Sequence, residues 1–212
     1  MRDGSSPEFD GPRNLADAAV CALAPDLRGA GVQVVLNGLV VSAREVAKGH
    51  STAMDAFQPR NGSATGQVVA GWLVLDGTPG RRIRLPRVPE LAVEDVHLVT
   101  AVAGMDGTLL RALLSSHPAG VVVAATGSGN TAADLLAAAS ELMSGGTVVA
   151  ETTRCAHGTV APTYAFPGGG AMWQRAGALP SVFDGPKTRV ALALGLAAGL
   201  DRAALGQLLA GQ

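Results

Sequence analysis

Apolar positions along this chain change their spacing several times, and each change predicts an element. Leu15, Ala18, Ala19, Ala22 and Leu23 mark one face of a helix, with Asp10 as its cap and Pro12 in its first turn. Gly29 and Gly31 end that pattern, and residues 32–36 form a short apolar strand. Asn37-Gly38, followed by the apolar residues 39–41, is the signature of a two-residue hairpin. Ser42-Ala43-Arg44-Glu45 then has the form of a capping box leading into Val46-Ala47-Lys48. Residues 49–66 hold Pro59, Asn61 and Gly62 around the apolar anchor Met54-Asp55-Ala56-Phe57, which predicts a loop. Residues 68–75 predict one further strand, ending at Asp76-Gly77.

A stretch without period follows. Residues 81–90 carry four Arg and two Pro and predict an exposed linker. A nucleic-acid patch would want aromatic side chains to stack on bases, and this segment has none. Beyond it the pattern becomes regular. Strands are predicted at 96–102, 120–125 and 147–150, separated by helical patterns at 109–114 and 131–143. Short apolar strands alternating with helices predict an α/β fold with a parallel sheet covered on both faces. Residues 158–185 are rich in turn-forming glycines, a last helix opens near Asp184 and Pro186, and a short one follows Asp201.

Composition narrows the class. The chain has 212 residues, of which 48% are hydrophobic and 16% charged, so it can bury a core and is not a disordered segment. Aromatics are only 3% and alanines number 38, so that core must be built from small aliphatic groups. A net charge of −1 gives no general field for nucleic acid. The two cysteines, Cys21 and Cys155, make no disulfide framework and no metal-ligand spacing. The first residues lack the apolar core of a secretory signal, and the longest apolar run, 190–200, is too short to span a membrane. A cytoplasmic protein with no membrane partner is therefore expected.

One bias among the cations bears on chemistry. Fourteen of the sixteen are Arg, and only Lys48 and Lys187 are Lys. A guanidinium stays charged, whereas an ammonium can be tuned to give up its proton, so a Lys kept against this bias is a candidate for proton transfer. A solvated surface cation is the bland alternative.

The strand at 120–125 runs into Thr126-Gly127-Ser128-Gly129-Asn130-Thr131-Ala132, which contains G-x-G-x-x-A, and Glu151 ends the next strand. Three readings are open. One is a dinucleotide fingerprint with Glu151 as the ribose acid, although too few strands follow to complete that fold. Another is a tight turn whose glycines merely avoid a clash. The third has the turn present Asn130 to a small ligand at the strand's carboxyl end. Cys155 and His157 are close enough in sequence to be considered as a dyad, but such a pair in a loop is more often incidental, and no local Ser/His/Asp arrangement occurs.

Taken in order, these segments resemble the bacterial-type L-asparaginase family. Met1-Arg2 with Asp10-Gly11-Pro12 and Asn14-Leu15 resembles its "AMR … DGP-NL" segment. Val34-Val35-Leu36-Asn37 through Arg44-Glu45-Val46 and Lys48 resembles "VVxN … ARxVxK", and Asp55-Ala56-Phe57 resembles "DAF". The turn ending at Asn130 resembles "GxGN", and Arg154 fits the loop after the following strand. Gly168-Gly169-Gly170 with Lys187-Thr188-Arg189 resembles the closing "GGG … KAR".

The resemblance implies L-asparagine as substrate, hydrolysed to aspartate and ammonia, without cofactor or metal. It places Lys48 on the family's catalytic lysine, the base of a relay with a threonine and an aspartate that serves a threonine nucleophile. It places Asn130 on the asparagine that one subunit lends to its neighbour's substrate site, which implies a homo-oligomer. A lysine acting as a base near neutral pH is expected to be partly desolvated. Lys187 is expected to be structural, pairing near the start of the last helix.

The family's "TGGTI" and "GTDT" turns, which carry both threonines and the aspartate, do not occur in this sequence. Residues 1–80 are therefore expected to be a partial N-terminal asparaginase domain, 81–93 a linker, and 94–212 an intact smaller C-terminal domain with a short parallel sheet between helices. The chain as written is expected to be truncated, as by a misassigned start or a frameshift, and inactive alone. Its N-terminal part is expected to expose apolar surface and strand edges. The alternative is a non-catalytic binding or assembly module of the same fold.

Overall fold

A computed structural model describes residues 2–80, 82–88 and 95–212. The chain divides into two compact units, residues 1–83 and 84–212. The arginine-rich linker lies partly outside the described residues, at 81 and 89–94.

The first unit is a helix on a small antiparallel sheet. Helix α1 (Gly11–Leu23) begins after Asp10, as its Pro at the first turn predicts. Asp10 does not cap with its side chain. Its carboxylate instead accepts from the Arg2 N–H at 2.7 Å and from the Asn14 side-chain amide at 2.9 Å. Strands β1 (Gln33–Leu36) and β2 (Leu39–Ser42) form the hairpin expected from Asn37-Gly38, which take φ of 51° and 76°. The expected long strand at 68–75 is instead a second hairpin. Strands β5 (Gly66–Val69) and β6 (Trp72–Leu75) flank Ala70-Gly71, with φ of 50° and 81°, where no Asn-Gly signal marks the turn. The sheet order is β1-β2-β5-β6, and Val40 and Val68 pack with Cys21 as its core.

The capping box at Ser42 opens no helix. Residues 43–45 are a turn, closed by the Glu45 N–H on the Ser42 carbonyl at 2.9 Å, and the chain leaves it as strand β3 (Val46–Lys48). That strand pairs antiparallel with β4 (Phe57–Pro59), inside the segment expected to be loop. Strand pairing outcompetes the local helical signal here, as tertiary contacts commonly do.

Helix α1 also turns its expected apolar face outward. Asp17 and Cys21 are buried, while Leu15 and Leu23 are 74% and 82% exposed. Trp72 on β6 is 75% exposed, and Val69 and Val74 stand beside it on the same hairpin. The first unit therefore carries the exposed apolar surface that its sequence predicts.

The second unit is α/β with a parallel sheet of order β10-β9-β8-β7. Its strands are β7 (Val96–Thr100), β8 (Gly120–Ala125), β9 (Val148–Thr153) and β10 (Leu179–Pro180). Helix α2 (Thr108–Ala112) joins β7 to β8, α3 (Ala133–Ser144) joins β8 to β9, and α4 (Gly170–Ala176) precedes β10. Helices α5 (Gly185–Ala197) and α6 (Arg202–Leu209) close the chain. Every residue of β8 is buried, which is why it reads as an unbroken apolar run. Val121, Val123 and Val149 face a layer of Leu135, Leu142 and Trp173. Val122 and Ala150 face Leu192, Leu205 and Leu209 on the other side. Helix α4 and strand β10 fall in the stretch expected to be glycine turns.

Lys187 is structural, as expected. The Asp184 carboxylate caps α5 by accepting from the Lys187 N–H, and it pairs with Lys187 Nζ at 2.8 Å. Trp173 is fully buried and donates its indole N–H to Thr131 Oγ1 at 3.0 Å. Trp173→Phe removes that donor and leaves the shape largely filled, so it is expected to cost about 1–2 kcal/mol of stability. Urea unfolding compared with the parent chain measures it.

Candidate active site

Lys48 ends β3 and pairs across the ladder with Phe57. Its side chain is exposed, and Nζ stands 5.7 Å from the Phe57 ring centroid, a cation–π contact. The desolvation expected of a lysine base is thus not provided by the described residues of this chain. The ring face covers one side of the ammonium, and water reaches the rest.

Asn130 belongs to the second unit, at the carboxyl end of β8. The turn before it is closed by four hydrogen bonds among Thr126, Gly129 and Asn130. The Gly129 and Asn130 N–H groups both donate to the Thr126 carbonyl, at 3.1 and 2.8 Å. The Thr126 N–H and hydroxyl both donate to the Asn130 carbonyl, at 3.0 and 2.6 Å. Gly127 and Gly129 take φ of 53° and 115°, which side chains resist, and this explains the glycine spacing. The turn is tied to the later loop by Ala161 N–H on the Ser128 carbonyl and by Thr131 N–H on the Gly168 carbonyl.

Asn130 lines a cavity of about 550 Å³ with Ala101, Met105, Thr126, Arg154 and Phe166. Its side-chain carbonyl oxygen has no hydrogen-bond partner among the described residues. Arg154 is fixed by its own N–H on the Ala125 carbonyl at 2.9 Å and by Nη1 on the Ala101 carbonyl at 3.0 Å. The cavity therefore offers an amide and a guanidinium beside apolar walls, which suits a small polar ligand.

Glu151 does not behave as a ribose acid. It is fully buried, its carboxyl packs against Gly129 of the turn, and burial alone pushes its pKa up to about 8. Cys155 and His157 are both exposed, in the loop after β9, and Cys155 is fixed through its N–H on Thr153 Oγ1. No cluster of three potential metal ligands occurs among the described residues. No described helix is long and apolar enough to cross a membrane.

Sequence reasoning missed how the Asn130 turn is held. The link from Trp173 through Thr131 spans 42 residues, and nothing local announces it. The unusual state of Glu151 did have a signal: an acid at an inward position of a strand that is otherwise apolar or hydroxylic.

A parallel sheet whose polar turns gather at the carboxyl ends of its strands places the second unit among α/β proteins with a ligand site at that edge. Comparison with known proteins makes the class specific. The chain belongs to the asparaginase/glutaminase family: residues 1–80 match the model "Asparaginase, N-terminal" and residues 95–209 match "Glutaminase/Asparaginase C-terminal domain". It is 34% identical to a protein named probable L-asparaginase from Deinococcus radiodurans, over 95% of this chain and 62% of that one. It is 30% identical to L-asparaginase 2 of Escherichia coli over 73% of this chain and 45% of that one. Among solved structures, the thermostable L-asparaginase from Thermococcus kodakarensis aligns with a TM-score of 0.81 at 25% identity, covering 97% of this chain and 62% of that one. The chain thus spans under two thirds of the length of each of these relatives.

Proposed function

We propose that this chain contributes to an L-asparagine amidohydrolase, converting asparagine and water to aspartate and ammonia. Lys48 serves as the proton-transferring base and Asn130 as a substrate contact lent to a neighbouring subunit of a cytoplasmic homo-oligomer. The observation that carries this reading is the match of both family domains, in order, and the sequence segments around Lys48 and Asn130 resemble family motifs. The placement of Asn130 supports a contact role, because the residue lines the cavity beside Arg154. In this reading residues 1–80 are a partial catalytic domain and 94–212 the smaller domain that follows the linker.

Hydrolysis needs a nucleophile and an environment that lowers the proton affinity of Lys48. The sequence holds neither threonine-bearing turn, and Lys48 is exposed. The chain alone is therefore expected to release no ammonia from asparagine. Fusing it behind an N-terminal segment that supplies the family's two threonine-bearing turns is expected to create turnover. A folded fusion without turnover would sink the reading. The exposure of the apolar side chains Leu15, Leu23 and Trp72 favours one other reading, a non-catalytic assembly module. Stable co-purification with an intact asparaginase, with the fusion inactive, is its signature.

A further inference from the structure

Glu151 sits where four pieces of chain meet. Val123 and Pro180 flank it on the neighbouring strands, in register. Gly129 lies against its carboxyl: a Cβ added at Gly129 would stand 2.7 Å from Oε1 and 3.3 Å from the Gly170 Cα. The absent side chain at Gly129 is therefore the space that the Glu151 carboxyl occupies. Both carboxyl oxygens are buried, and neither has a hydrogen-bond partner among the described residues. Buried polar groups are almost always partnered, and an apolar side chain of this size would fill the same space without the unmet demand. Val123, Gly129, Gly170 and Pro180 do not titrate, and burial is the only cause that moves the acid's pKa.

We propose that Glu151 is a positioning residue for Asn130: its neutral carboxyl supports the 126–130 turn from beneath, and its ionisation reorganises that turn. The proposal rests on the reading of Asn130 as a substrate contact. The turn has a donor to spare for the ionised form. Two N–H groups share the Thr126 carbonyl, and the longer bond, at 3.1 Å, belongs to Gly129, the residue that touches the acid. A carboxylate formed in the interior must recruit a donor or water, and Gly129 is the residue packed against it. Asn130 follows directly, so rotation of that peptide changes the angle at which its side chain meets the cavity.

The test is an NMR titration of the full 212-residue chain from pH 5 to 9.5. The Glu151 side-chain carboxyl carbon is assigned by its disappearance in Glu151→Gln. It is expected to titrate near pH 8, and the Gly129 and Asn130 amides are expected to move with the same midpoint. In Glu151→Gln those amides are expected to stay still. A Glu151 midpoint in the ordinary carboxyl range, or Gly129 and Asn130 signals that ignore it, overturns the proposal. So does an unchanged transition in Glu151→Gln. Where that variant does not fold, the match of midpoints in the parent chain remains decisive. Ammonia release by the fusion protein bears on the functional reading alone, and the shared midpoint bears on Glu151 alone.

Discussion

Lys48→Arg in the fusion that supplies the threonine-bearing turns is expected to lower turnover of asparagine by about a thousandfold or more, equivalent to roughly 4 kcal/mol of barrier. The charge and much of the reach are kept, so the two residues differ chiefly in whether the proton can leave. A guanidinium holds its proton across the accessible pH range, whereas an ammonium can be tuned by its surroundings to release one. The fall is expected in kcat with little change in KM, because proton transfer belongs to the transition state rather than to substrate capture. Steady-state ammonia release over a range of asparagine concentrations separates the two. Near-parental turnover in Lys48→Arg would remove proton transfer from this residue and leave it as a surface cation.

Much of this fold is legible from period and turn chemistry. The Asn37-Gly38 hairpin, helix α5 behind Asp184 and Pro186, and the buried strand β8 all follow from local signals that tertiary structure does not oppose. The failures share a cause. The capping box at Ser42, the strand β4 in an apparent loop, and the hairpin at Ala70-Gly71 are decided by strand partners about ten residues away, or by a turn whose residues carry no marker. Helix α1 shows the limit differently. Its apolar stripe is where the sequence puts it, and the stripe faces outward, because periodicity reports that a face is apolar and not what covers it. The constrained turn before Asn130 is legible because Gly127 and Gly129 mark it. The state of Glu151 depends on what surrounds a strand position on all sides, and one-dimensional spacing carries no trace of that.

The same acid gives the fold a pH dependence of unusual sign. In the unfolded chain Glu151 has an ordinary pKa of 4.5, and in the fold it is raised to about 8 by burial. Between those values the folded protein keeps a proton that the unfolded chain has released, so stability falls as pH rises. The stabilisation is complete below about pH 4.5, is lost progressively toward pH 8, and changes little beyond, where both states are ionised. The loss is on the order of 5 kcal/mol, a large share of the 5–15 kcal/mol that holds a typical domain together. Asp134 does not blur this window, since the Arg111 guanidinium holds its pKa at about 2 and it stays ionised throughout. Glu151→Gln keeps the shape and a neutral group, so its stability is expected to be nearly level from pH 5 to 9. It is expected to match the parent within about 1 kcal/mol at pH 5 and to exceed it clearly at pH 9. Urea unfolding of both proteins at pH 5, 7 and 9, followed by the fluorescence of buried Trp173, measures the two slopes. Parallel slopes would mean that water reaches the Glu151 carboxyl, and that the turn above it is already open.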